Sequence, residues 1–335
     1  MKNWRLWGGI LVSLLCLYGV ARGMDWRSLR AALGRTHLIW FLPAFGILVG
    51  GMWARALRWR LLLQPLPELR TGRLFNLVNI SYLVNNVSPF RLGDVLRAFL
   101  CAELERLSVV RALSTVVIER VADTLAIVLL LLVLLSAVSL PVYVVRATFG
   151  IGLAALAAAC LLVFLALRRD WSLALFDRLS ARLRFLKQTP LRRQLASAVD
   201  GLAALESWRR AVGVLAWSCV IWLSTALVFY VVMQAARLRL PFAAALTALC
   251  LTSLGMVVPS SPGYVGVFEY ITVVSLSLFA VGREEALGYA LVLHALNYVS
   301  LAILGVAALW SEGYSYAHLR AVLARAGAGE LEIRD

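Results

Sequence analysis

The sequence predicts an all-α, polytopic membrane protein with about six full transmembrane spans and two re-entrant or broken-helix hairpins in an inverted-repeat arrangement. Three observations predict it. Of the 335 residues, 62% are hydrophobic and only 15% charged, with a mean hydropathy of +0.84, which is the balance of a membrane chain. Residues 122–140, 147–167 and 211–232 each supply about 20 nearly uncharged positions, the length an α-helix needs to cross ~30 Å of hydrocarbon. Two shorter segments each lead into an S-P-x-x-x-G phrase that breaks a helix. A soluble enzyme, a disordered chain and a secreted disulfide scaffold are excluded. The net charge of +15 comes from 31 Arg and two Lys lying between apolar runs, so it reads as topology and not as a nucleic-acid surface.

In chain order, Lys2 and Arg5 before residues 6–20 have the outline of a signal peptide, and Ala21-Arg22-Gly23 loosely fits a cleavage site. An uncleaved first span is expected, because the rest of the chain is membrane-embedded. Residues 38–54 form the second span. Residues 74–87 are short and carry Asn76, Asn79, Asn85 and Asn86, and residues 95–104 are shorter still and hold Arg97, so these two form a hairpin. Full spans follow at 122–140, 147–167 and 211–232. Residues 243–258 and 265–281 are joined by Pro259-Ser260-Ser261-Pro262-Gly263, as two thin spans or one re-entrant hairpin. Residues 286–310 form the last span.

Charge sets the orientation. With both termini cytoplasmic and both hairpins returning to their own side, cytoplasmic stretches collect 25 of the 33 basic residues. Ten of these lie at 168–210, against four acidic residues. Within that loop Trp171, Leu175, Leu179 and Leu183 recur every four residues with Arg178, Arg182 and Arg184 between them, which reads as an interfacial amphipathic helix. Residues 22–35, with Trp26, Leu29 and Leu33, read similarly on the outer face. The domain reading is one integral membrane domain, 1–312, with halves at about 38–167 and 211–310, an amphipathic linker at 168–210 and a cytoplasmic tail at 313–335.

Ser88-Pro89-Phe90-Arg91-Leu92-Gly93 and Ser261-Pro262-Gly263-Tyr264-Val265-Gly266 share the same phrase, and Asp94 or Glu269 follows closely. Broken segments at corresponding places in oppositely oriented halves mark an inverted-repeat transporter. Backbone interrupted at membrane depth must be buried in protein or line a polar cavity, and such a cavity holds a headgroup. Arg91, Asp94 and Arg97 lie at i, i+3 and i+6, and Glu119 and Asp123 share a helix face, with Arg120 beside them. Two readings stay open: an ion-pair staple between helices, or an arginine site for a phosphate shaped by carboxylates. Glu269 is expected to be protonated by desolvation or paired across the repeat with Arg91. His294 and Asn297 are expected to be a packed polar pair. Five scattered cysteines read as buried thiols, no spacing suggests a metal centre, and no cofactor or nucleotide motif is present.

The run from Asn85 to Ala98 (NNVSPFRLGDVLRA), Glu119-Arg120-Val121-Ala122-Asp123, and the run from Pro259 to Glu269 (PSSPGYVGVFE), with Arg58-Trp59-Arg60, resemble the membrane domain of lysylphosphatidylglycerol synthases and related flippase-like proteins over nearly the whole chain. That resemblance implies a lipid-handling domain of the bacterial inner membrane, in the best-understood members a flippase for aminoacylated phosphatidylglycerol. The soluble synthase half is expected to be absent, since about 25 residues follow Trp310. Aminoacyl transfer is therefore not carried over. The expected function is translocation of a phospholipid or lipid-linked headgroup, without ATP hydrolysis, through Asn86, Pro89, Arg91, Gly93, Asp94, Arg97, Glu119, Arg120, Asp123, Pro262, Gly263, Gly266 and Glu269. Expected partners are membrane lipids and a separate lipid-modifying enzyme. A membrane-embedded transferase with a carboxylate base, or a scaffold for such an enzyme, is the alternative.

Overall fold

The computed structural model describes residues 4–64, 70–88, 91–182, 191–256 and 260–327, and all regular structure among them is helical. Pro89 and Pro259 lie outside these described residues. In a lipid solvent every backbone N–H and C=O must find its partner within the protein, which is why the apolar runs resolve into helices. α1 (Trp4–Ala21) is followed by α2 (Trp26–Gly34) across a 93° bend. Asp25 caps α2, accepting from the Arg27 N–H at 2.9 Å and the Ser28 hydroxyl at 2.6 Å.

α3 (Phe41–Leu62) runs past the expected limit at residue 54, so Arg55, Arg58 and Arg60 are helical and not loop residues. α4 (Thr71–Val87) and α5 (Leu92–Glu105) form the first hairpin. α6 (Val109–Leu134) is offset from the expected span at 122–140: it starts earlier, ends earlier, and carries Glu119, Arg120 and Asp123 within its length. The offset has a physical cause, because arginines of neighbouring helices meet those charges. α7 (Val142–Leu167) leads to α8 (Arg169–Arg182) and α9 (Leu191–Asp200). Trp171 and Leu175 are exposed on α8, while residue 183 lies outside the described residues. α10 (Trp208–Ala235) precedes the second hairpin, α11 (Phe242–Gly255) and α12 (Val267–Ser277). α13 (Arg283–Glu312) and α14 (Tyr316–Gly327) complete the described chain.

Among the described residues four helices are long and apolar enough to cross a membrane: 38–62, 142–167, 208–235 and 283–312, or five if the bent α1–α2 pair is one span. α6 is as long as α7, but its charges set it apart. One core joins α3, α4, α5, α6, α10, α11 and α13 around Trp59, Leu77, Ile80, Leu100, Leu131 and Leu293. α7 sits at its edge and turns Leu153, Leu156 and Leu161 outward, with Leu153 71% exposed, a surface suited to acyl chains and not to water. This is a multi-pass membrane protein.

Contacts fix the helix directions. At the end where α1 finishes and α3 begins, the His37 N–H donates to Ala235 O at 2.9 Å and the Arg283 guanidinium donates to Arg22 O at 2.9 Å. At the opposite end the Asn76 amide donates to Glu312 at 2.7 Å, and Arg325 reaches Glu103 at 3.2 Å. α3 and α10 are antiparallel, with Gly51 against Ser224 and Gly213 against Leu61. α4 climbs along α13 from Asn76 beside Ser311 to Asn86 beside Tyr298, and α5 returns to Glu103. From the other end α11 descends and α12 climbs back, with Ser260 against Gly9 and Tyr270 against Gly19. Gly263 lies against His294 and Tyr298, near the middle of the 30-residue α13. The two hairpins thus come from opposite ends, and their turns meet halfway.

Candidate functional site: two hairpin turns over a buried ionic network

The first turn is built by close backbone approach. Gly93 sits so near α4 that a Cβ there would collide with Ser81 O, and its N–H donates to Asn85 Oδ1 at 2.8 Å. Arg91, the N-cap of α5, adopts φ 54°, a left-handed conformation rare for a residue with a side chain. The second turn is a 3-10 helix, Pro262–Tyr264, with Pro262 at its start. Gly263 there has φ 74°, and a Cβ would collide with the Tyr298 hydroxyl. Tyr264 follows at φ 61°. Gly266, at φ 91°, caps α12 and donates its N–H to Glu269 Oε2 at 2.6 Å.

One contact joins the turns directly, and two contacts made by α13 gather beside it. Arg91 Nε donates to Tyr264 Oη at 3.4 Å, and Tyr298 Oη donates to Asn86 O at 2.9 Å. The His294 ring packs edge-on against Tyr298 at 4.9 Å. The buried Asn86 Nδ2 has no hydrogen-bond partner among the described residues. Arg91 is exposed, and its bond to Tyr264 leaves most of its five donors open.

Beneath the first turn lies a network of three arginines and three carboxylates. Arg58 on α3 makes a short two-pronged contact with Asp123, donates to Ser218 Oγ on α10 at 2.7 Å and lies 3.6 Å from Glu119. Arg97 on α5 makes a short contact with Glu119 and lies over the Trp59 ring at 4.7 Å, a cation–π contact. Trp222 Nε1 donates to Asp123 at 3.1 Å. Asp94, in the first turn of α5 where the helix dipole favours a carboxylate, accepts from Ser81 at 3.3 Å and Asn85 at 3.4 Å and lies 4.0 Å from Arg97. Arg120 is different. Its side chain is 33% exposed, and it sits 3.6–3.8 Å from Asp94, Glu119 and Asp123 without a close hydrogen bond to any.

The expected site residues therefore divide. Asp94, Arg97, Glu119, Arg120 and Asp123 come together as one network. Asn86, Arg91, Pro262 and Gly263 come together at the turns, with Gly266 and Glu269 just beyond, while Pro89 lies outside the described residues. Glu269 corrects the expectation of an Arg91 partner: its Oε1 meets His294 Nδ1 on α13. His294 is accordingly not paired with Asn297, whose amide donates to Leu293 O. Reading the sequence also missed Arg58, Tyr264 and Tyr298 as site residues. The signal for Arg58 was present, since the apolar residues Leu61, Leu62 and Leu63 continue beyond it.

Fold and site define a multi-pass helical membrane protein with a cluster of charged residues paired in its interior, against the cost of lone charges in lipid. The family model described as lysylphosphatidylglycerol synthase TM region matches residues 6–305, and the chain belongs to that family. No curated protein matches the chain.

Proposed function

We propose that this protein moves a phospholipid or lipid-linked headgroup across the bacterial inner membrane, binding its phosphate where the two hairpin turns meet. The observation that carries the reading is the junction itself: Arg91 and Tyr264 touch at the middle of α13, and Arg91 keeps most of its donors open. A guanidinium offers phosphate a planar two-pronged fork. Arg120, partly exposed and loosely held by three carboxylates, is the second ligand, and the buried Asn86 amide is a third donor. Arg97 is assigned otherwise, because its guanidinium is buried against Glu119 and Trp59. With Arg58 it staples α3, α5 and α6, holding the first turn in place.

The same reading gives six crossings, by α1, α3, α6, α7, α10 and α13, with both termini cytoplasmic. Within the two halves (38–167 and 211–310), α3, the first hairpin and α6 run as long helix, hairpin, long helix, and α10, the second hairpin and α13 repeat that order in the opposite direction, with α7 added to the first half; this supports an inverted repeat about the junction. The linker 168–210 and tail 313–335 lie on the cytoplasmic side, rich in arginine. Acyl chains stay in the bilayer, against apolar faces such as that of α7. Lipid modification is assigned to a separate enzyme as partner.

The test is reconstitution into phosphatidylcholine vesicles carrying trace headgroup-labelled phosphatidylglycerol or a lipid-linked sugar. Dithionite quenching from outside reads how fast inner-leaflet label becomes accessible. The reading expects faster exchange than in protein-free vesicles for at least one lipid, and a sharp loss with Arg91→Ala. Equal rates with and without protein for every lipid tested contradict it.

A further inference from the structure

The His294–Glu269 pair beside the second turn is not needed to bind an anion, and its hydrogen bonding fixes a proton count. His294 Nδ1 lies 2.5 Å from Glu269 Oε1, and Nε2 lies 3.1 Å from the carbonyl oxygen of Gly263. A carbonyl only accepts, so the second contact requires a proton on Nε2. The first contact requires another, on either the nitrogen or the carboxyl oxygen. The pair therefore holds two protons, one more than a neutral imidazole beside an ionised carboxylate. Remove one, and a bond must fail: with the remaining proton on Nε2, the Nδ1 lone pair faces a carboxylate; with it on Nδ1, the Nε2 lone pair faces Gly263 O. Loss of the proton thus loosens either α12 or the turn from α13.

We propose that His294 and Glu269 bind one exchangeable proton that latches the turn at Gly263 to α13, and that this proton is the coupling ion for translocation. The second half rests on the translocase reading above. Because Tyr264 follows Gly263 and touches Arg91, unlatching the turn alters the anion site directly. In each cycle one proton enters the pair from water on one side and leaves to water on the other, with no bond other than N–H or O–H made or broken.

Few charged groups face the pair. α13 itself adds Tyr298, edge-on to His294. The turn adds Tyr264, through which Arg91 of α5 is connected. α4 brings Asn86, and α10 brings Phe229, packed on Phe268, which in turn packs on the His294 ring. α1, packed on α12, carries Cys16 and Tyr18 in its second half, with Arg5 in its first turn, and α11 carries Cys250. Arg283, Glu284 and Glu285 stand at the far end of α13, about 14–16 Å from His294 along the helix, and α2, which packs on α13 at Gly288, carries Arg27 and Arg30.

The chain has three histidines, which makes 15N-imidazole NMR of the whole protein in nanodiscs a direct test. His37→Gln and His318→Gln assign the His294 signals by elimination. The expected result is a protonated Nε2 at pH 6 and one common step, as pH rises, in which both ring nitrogens shift, displaced by Glu269→Gln. An unprotonated Nε2 at pH 6, or a ring indifferent to Glu269→Gln, overturns the latch. In vesicles, an imposed pH gradient should speed headgroup exchange severalfold, and a protonophore should abolish the gain. Exchange indifferent to the gradient overturns the coupling and leaves the translocase reading standing. Failure to exchange any lipid overturns the translocase and the coupling, while the imidazole spectra still decide the proton site.

Discussion

Arg91 and Tyr264 occupy the same place, the fourth, in two copies of S-P-x-x-x-G; both adopt left-handed backbone, φ 54° and 61°, and they touch, Nε to Oη at 3.4 Å. Non-glycine residues in that conformation are strained and persist where the surroundings hold them. Two such residues in contact across the junction mark backbone that the packing around it holds in place.

If Arg91 holds phosphate, Arg91→Lys lowers headgroup exchange about tenfold while the thermal midpoint in detergent stays near that of the parent, because a point charge replaces a planar fork. A fall in midpoint matching the fall in exchange would instead mark Arg91 as a structural residue.

Arg58 gives the opposite pattern. Arg58→Met takes from the buried Asp123 its closest cation and from Glu119 one of three, and is expected to destabilise the protein by about 3–5 kcal/mol. Adding Asp123→Asn should restore part of that stability. A midpoint unchanged in the single variant would show that the network is not a staple.

Arg58 also shows where the sequence stops being legible. Helices, hairpins and the two turns were readable because apolar length and Pro/Gly punctuation are local signals. The partners of buried charges were not, since Arg58 meets Asp123 across 65 positions and Ser218 across 160. Counting charges as membrane flanks put Arg58 in a loop and displaced α6, because the count treats every charge as solvated. For the same reason Glu269 seemed to lack a partner, although His294 lies 25 residues on and faces it across the α12–α13 packing.

Gly93 tests the hairpin geometry. Gly93→Ala places a methyl against Ser81 O, a backbone atom that cannot rotate away, so α4 and α5 must separate. A loss of about 1–3 kcal/mol in unfolding free energy is expected. Gly72→Ala, helical and with open space around its Cβ, is the control and should leave stability unchanged or raise it slightly.

The most direct measurement is two-sided accessibility at the junction. In a protein with Cys16, Cys101, Cys160, Cys219 and Cys250 replaced, Tyr264→Cys is exposed to a membrane-impermeant maleimide in right-side-out and in inverted vesicles. Turns that meet inside the membrane and open alternately predict labelling from both sides, with anionic phospholipid headgroup analogues slowing each. Labelling from one side only, unchanged by those analogues, would contradict a headgroup path through the meeting point of the two hairpins.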